Sequence, residues 1–294
     1  MIELDGALNE LVIANRILAN EDVVDAYGHV SIRHPGNPER FFMACMLAAP
    51  EMVERADLME FSLDGQAVND DRTPSIERFI HCGIYEARPE VQAVVHAHPP
   101  TATGFAVAGI PLDRAVLAEV LTTLGSIPIA EYATPSTREL PEAVRKYIKA
   151  HDGMLLANHG ALTVGADLYG AYYKMETIEH FAKISLVARL LGRENLLSRE
   201  EVMRLQELRG SYGIQAPAPI CAIPGTDLES RSVPELTGAA GDATCQTVQA
   251  PKGDGSRLVA DVVRQTTEGR EDEEIRLTYR ELSALLEDAI RSLR

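Results

Sequence analysis

The chain has 294 residues, 46% of them apolar, which is room for one large domain with an appendage and enough apolar surface for a buried core. Its 28 Lys and Arg against 44 Asp and Glu leave a formal charge of −16, a balance that repels phosphate backbones and anionic lipid and argues against nucleic-acid or membrane-surface binding. No apolar run approaches the ~18–20 residues of a membrane span, the acidic start Met1–Gly6 lacks the basic opening of a secretory signal, and Cys45, Cys82, Cys221 and Cys245 form no CxxC pair, so the expectation is a cytoplasmic protein with reduced thiols.

In chain order, Leu4, Leu8, Leu11, Val12 and Leu18 set a helix near the N-terminus. Gly28 to Arg33 alternates like a strand, and Pro35-Gly36-Asn37-Pro38 turns the chain before Phe41-Phe42-Met43. Thr73-Pro74 pairs an N-cap residue with proline at the first helical position, so a helix is expected from there, burying Ile76, Phe79 and Ile80 and stopping before Arg88-Pro89. Val91 to His98 reads as a strand closed by Pro99-Pro100. Met154 to Ala157 is another, and after Asn158-His159-Gly160 the run Ala161 to Val164 returns beside it. A long helix follows, with Leu168, Ala171, Tyr172, Met175, Ala182 and Leu186 inward. No GxGxxG and no repeating βαβ unit occur, so the fold class is α/β, a three-layer α/β/α domain on a mixed sheet rather than a dinucleotide-binding one.

From Gln215 to Ser256 the chain has no aromatic residue, five prolines and five glycines, a composition that buries little apolar surface. Thr278 with Glu281 then forms a capping box ahead of Leu282, Leu285, Leu286, Ala289, Ile290 and Leu293 at helical spacing. The domain organisation expected is therefore residues 1–213 as the main domain, 214–256 as an arm, and 257–294 as a helical extension that docks on a neighbouring subunit or another protein.

The residues with most chemistry are His96 and His98. Side chains at i and i+2 of a strand share a face, so the two imidazoles project together as two legs of a transition-metal site. Two histidines on an exposed strand face are the ordinary alternative, but Val94 and Val95 imply a buried strand where unpaired imidazoles are costly. His159, between a buried strand and Gly160, is a third leg or a hydrogen-bonded turn histidine, and Asn158 beside it could fix its ring tautomer. Glu77, at a helix start, is a ligand, a general acid/base or a solvated helix-terminal glutamate. A surface pair explains Glu77 and His81 at i and i+4 equally well. His34 and His151 read as solvated loop histidines, and Glu119 as an exposed helix glutamate.

Taken together, Thr73-Pro74-Ser75-Ile76-Glu77, the run Arg88 to His98, and Asn158-His159-Gly160, in that order and spacing, resemble the class II aldolase/adducin family over roughly residues 25–192. The resemblance implies a single α/β/α domain, assembled as a homotetramer with active sites between subunits. It implies one divalent metal ion per subunit on His96, His98 and His159, zinc or manganese ahead of iron, with Glu77 as the acid/base or a fourth ligand. Sugar-phosphate aldolases of the family hold phosphate with a Gly-Asn-x-Ser segment, a Ser-Gly turn and a Ser-Ser-Glu run. Here Gly28-His29-Val30-Ser31, Pro50-Glu51 and Ser75-Ile76-Glu77 stand in their places, and Glu51 would oppose a phosphate dianion.

Gly28 to Pro35 with Phe41-Phe42, and Glu77 to His81, are more similar to the branch that decarboxylates hydroxylated aromatic or pyridine dicarboxylates. Tyr132 to Thr137 and Tyr172 to Thr177 are aldolase-like. The expected function is a divalent-metal-dependent carbon–carbon lyase. Decarboxylation of a hydroxylated acid stands ahead of aldol cleavage of a fuculose-phosphate-like ketose. His29, Ser31, Arg33 and Ser75 are the candidates for binding the small-molecule substrate. The competing classes are a non-catalytic adducin-like interaction protein, which would lose ligand histidines that are all present here, and a non-haem iron oxygenase.

Overall fold

In the computed structural model, which describes residues 2–220 apart from 22, 24–27, 47, 136, 212–213 and 215–217, the apolar periods of the sequence become seven strands and seven α-helices. In chain order these are α1 (Ile2–Asn20), β1 (His29–His34), β2 (Asn37–Ala44), β3 (Leu58–Ser62), α2 (Arg78–Ala87), β4 (Ala93–Ala97), α3 (Pro100–Ala108), α4 (Ala118–Thr123), β5 (Ile129–Ala130), α5 (Glu139–Ile148), β6 (Gly153–Leu156), β7 (Gly160–Gly165), α6 (Leu168–Leu190) and α7 (Arg199–Ser211). The strands form one sheet in the order β3-β2-β1-β4-β7-β6-β5. Every pairing is antiparallel except β5 with β6, so the sheet is mixed.

Strand alternation sorts the side chains into two cores. Val30, Ile32, Val95, Ala97 and Ala161 lie in one, under α1, α3 and α6. Phe41, Met43, Phe61, Val94, Leu162 and Val164 lie in the other, under α2 and α5. The result is the three-layer α/β/α architecture. Val94 and Val95 are both fully buried, one on each face, and burial of such a side chain stabilises by roughly 1.5–3 kcal/mol. That is why the histidine-bearing strand sits at the centre of the sheet rather than at an edge.

Helix α2 starts later than the sequence suggests. Thr73-Pro74-Ser75 stays extended, Ile76 and Glu77 turn, and regular helix begins at Arg78. Only Ile80 of the three residues expected inside is buried; Ile76 and Phe79 are each 39% exposed. The delayed start rotates them outward, and Phe79 instead lies beside Gly65 with the Arg78 guanidinium 4.2 Å over its ring. His151 corrects another expectation. It is 2% exposed, not solvated, with its Nδ1 3.1 Å from the Ser126 carbonyl.

No helix among the described residues is long and apolar enough to cross a membrane. The extension read at 257–294 and most of the arm lie outside the described residues. Three described residues of the arm, Ala218–Ile220, rest on the domain: Ile220 is buried with Ala115, Leu121 and Val202, and the Pro219 carbonyl accepts from the Ser126 N–H.

Candidate metal centre

Three separate pieces of chain meet at one end of the sheet. β4 carries His96 on the same face as Val94, under α2, and delivers His98 one residue past its end. The β6–β7 hairpin delivers His159. There the His159 N–H donates to the Leu156 carbonyl at 3.0 Å, and Asn158 takes φ 55°, the left-handed conformation that the third residue of such a turn needs and that asparagine tolerates. Glu77 stands at the N-terminal edge of α2. Its side chain does not cap the helix.

The three imidazole centroids lie 5.0, 4.8 and 5.1 Å apart, and one ligand atom from each ring falls within 4.8 Å of the others. Glu77 closes the fourth side. One carboxylate oxygen is 3.2 Å from His96 Nε2 and the other 3.2 Å from His159 Nε2. His96 Nδ1 lies 2.9 Å from the Ala161 carbonyl. A carbonyl only accepts, so Nδ1 carries the proton and a neutral ring turns the lone pair of Nε2 toward Glu77. A lone pair facing a carboxylate is favourable only with a positive centre between them. Three imidazole nitrogens and a carboxylate oxygen are the donor set of zinc and neighbouring divalent ions, and the residues fit such an ion.

The remaining expected residues divide. His29 is paired with His96 across β1 and β4, and its Nε2 is 2.7 Å from Ser75 Oγ, so these two are brought to the site but face each other. Ser31 and Arg33 lie farther along β1. In the antiparallel pairing each step of two residues along β1 moves about 7 Å away from His96. Ser31 is fully buried against His81 Nδ1 (2.7 Å) and Tyr85 OH (2.8 Å). Arg33 donates to the carbonyls of Val91, Pro38, Tyr85 and Arg88. Both side chains are engaged within the chain. Asn158 is also corrected: it is exposed, no hydrogen bond joins its amide to His159, and its contribution is the turn itself.

His81 is the residue that sequence reasoning misplaced. It is 0% exposed, not half of a surface pair. The available clue was its place between Ile80 and Ile84 on the inward face of α2. Glu119 is exposed on α4, along a cavity of about 430 Å3 shared with Glu176 and His180 and with none of the four donors.

Residues 9–186 match the family described as Class II Aldolase and Adducin N-terminal domain. Decarboxylase tropJ of Talaromyces stipitatus is 40% identical over 102 residues, 34% of this chain and 38% of that enzyme, so the match spans little more than a third of the relative's length. The 5-deoxy-D-ribulose 1-phosphate aldolase of Bacillus thuringiensis serovar kurstaki is 30% identical over 159 residues, 54% of this chain and 74% of that enzyme. Among solved structures, an L-fuculose 1-phosphate aldolase superposes with a TM-score of 0.64 at 27% identity, covering 69% of this chain and 95% of its own.

Proposed function

The chain belongs to the class II aldolase and adducin family, and on that footing we propose that it is a divalent-metal-dependent carbon–carbon lyase that decarboxylates a hydroxylated, aromatic or enolisable carboxylic acid. The observation that carries the proposal is the convergence of His96, His98, His159 and Glu77 on one point. A divalent ion held there supplies Lewis-acid stabilisation of the negative charge left on a substrate oxygen beside the breaking bond. Glu77, within reach of two rings and largely shielded from water, holds a proton and returns it to the carbon that loses carbon dioxide. The intact donor set also favours an enzyme over an interaction protein.

Two observations favour decarboxylation. His29 and Ser75 stand where sugar-phosphate aldolases of the family offer neutral donors to phosphate, and here they are bonded to each other. The 40% identity to a decarboxylase supports the same choice. Aldol cleavage of a ketose phosphate is the second reading, favoured by the greater length over which the aldolases match. We read the assembly as a cytoplasmic homotetramer, with residues 257–294 docking on a neighbouring subunit. An unchanged number of subunits after removal of residues 222–294 would rule out a role for them in assembly.

The deciding experiment loads the purified protein with zinc or manganese. It follows carbon dioxide release from hydroxybenzoate-type acids and aldehyde release from ketose phosphates in parallel. Carbon dioxide from the first panel is expected; aldehyde from the second alone selects the aldolase reading. His96→Ala is expected to lose bound metal and turnover together, and turnover retained without the imidazole would overturn the site.

A further inference from the structure

Strand β1 meets the segment Ser75–Tyr85 through a row of polar contacts. His29 pairs with Ser75 Oγ, which also accepts the Glu77 N–H at 3.3 Å. Ser31 Oγ bridges His81 Nδ1 and Tyr85 OH. The Arg33 guanidinium lies 4.6 Å over the Tyr85 ring. The periods agree where strand meets helix: two residues of strand advance about 6.6 Å and four residues of helix about 6 Å, so residues 31 and 33 meet positions 81 and 85, while residue 29 meets Ser75 ahead of the helix.

These contacts are not the cheapest way to hold a helix on a sheet. A buried neutral hydrogen bond contributes only about 1 kcal/mol net, and a buried polar atom left without a partner costs ~1–3 kcal/mol. His81 Nε2 is such an atom, and its ring is wholly buried. What directional bonds give that an apolar contact does not is a fixed rotation and axial register. Glu77 immediately precedes α2, so a rotation of that helix by one residue, about 100°, would swing its carboxylate off the histidines.

We propose that His81, through its bond to Ser31, is a positioning residue that sets the register of α2 on β1 and thereby places the Glu77 carboxylate between His96 and His159. The proposal rests on Glu77 acting at the metal, as read above.

Cobalt(II) titration of the full-length protein tests it, with affinity by chelator competition and the visible ligand-field spectrum as readouts that a purely structural contact would not move. Ser31→Ala and His81→Leu are each expected to weaken binding about tenfold, the range for groups that orient metal ligands. Both are expected to shift the spectrum toward that of Glu77→Gln. His81→Asn, whose amide can reproduce the Nδ1 contact, is expected to stay close to wild type. Wild-type affinity and spectrum in Ser31→Ala, even with a lower melting temperature, would overturn the proposal, as would His81→Asn behaving like His81→Leu. A Glu77→Gln protein indistinguishable from wild type would bring down the reading of Glu77 and the positioning role together; loss in Glu77→Gln alone would bring down only the latter.

Discussion

Gly160 is a tight point of the candidate metal centre. A Cβ there would sit 2.5 Å from the Ala97 carbonyl oxygen and 2.5 Å from His98 Cδ2. The backbone cannot yield without separating β7 from β4, so the His98 ring would move. Gly160→Ala is expected to cost about 1–3 kcal/mol of stability as overpacking and to weaken zinc binding about tenfold, measured by urea unfolding and chelator competition. Asn158 makes the opposite case two residues earlier. At φ 55° a β-branched side chain is strained by roughly 1–2 kcal/mol, so Asn158→Val should lose that much while Asn158→Gly keeps both stability and metal affinity. The sequence shows that a glycine follows His159. That the space belongs to His98 depends on the pairing of β7 with β4, which nothing local encodes.

At the scale of elements, the strands and the long helix were readable because their apolar periods are long and uninterrupted. The start of α2 was not. Thr73-Pro74 carries every local mark of a helix start, but Ser75 is bonded to His29 and the chain turns through Ile76 and Glu77 before regular helix begins at Arg78. A tertiary contact overrides a local preference. Buried histidines were misjudged for a similar reason, since a lone histidine between α5 and β6 looks the same in sequence whether solvated or enclosed.

The difference is measurable. Burial pulls His151 down from 6.5 to about 4, with the Ser126 carbonyl and Asp152 opposing. Between those values the unfolded chain binds a proton that the folded protein refuses, so stability is full above pH 6.5 and falls as pH drops toward 4. The loss reaches about 2 kcal/mol by pH 5. His151→Gln should flatten that part of the profile, seen as a smaller difference between urea midpoints at about pH 7.5 and about pH 5. An unchanged difference would place His151 in water.

Across the whole molecule, composition and physical closure do not coincide. The apolar periodicity fades near Gln215, and that is where the sequence places the end of the domain. Packing continues to Ile220, in a proline-rich stretch that no periodicity marks. Gly125, at φ 72°, has no room for a Cβ because Ala218 and Pro219 lie within 2.6 Å of where it would be. Ile220 fills a small core with Ala115, Leu121 and Val202 that ties α4 to α7. A chain ending at Ser211 should therefore lose more stability than one ending at Cys221, by about 1.5–3 kcal/mol for the side chain plus about 1 kcal/mol for the bond from Ser126 to Pro219. The metal donors come from β4, the β6–β7 turn and the edge of α2, none of which joins this small core. Both truncated proteins should accordingly bind zinc as the full chain does while melting at different temperatures. Equal melting would mean that residues 218–220 only rest on the surface, and weakened zinc binding in the shorter protein alone would mean that α4 and α7 support the metal centre after all.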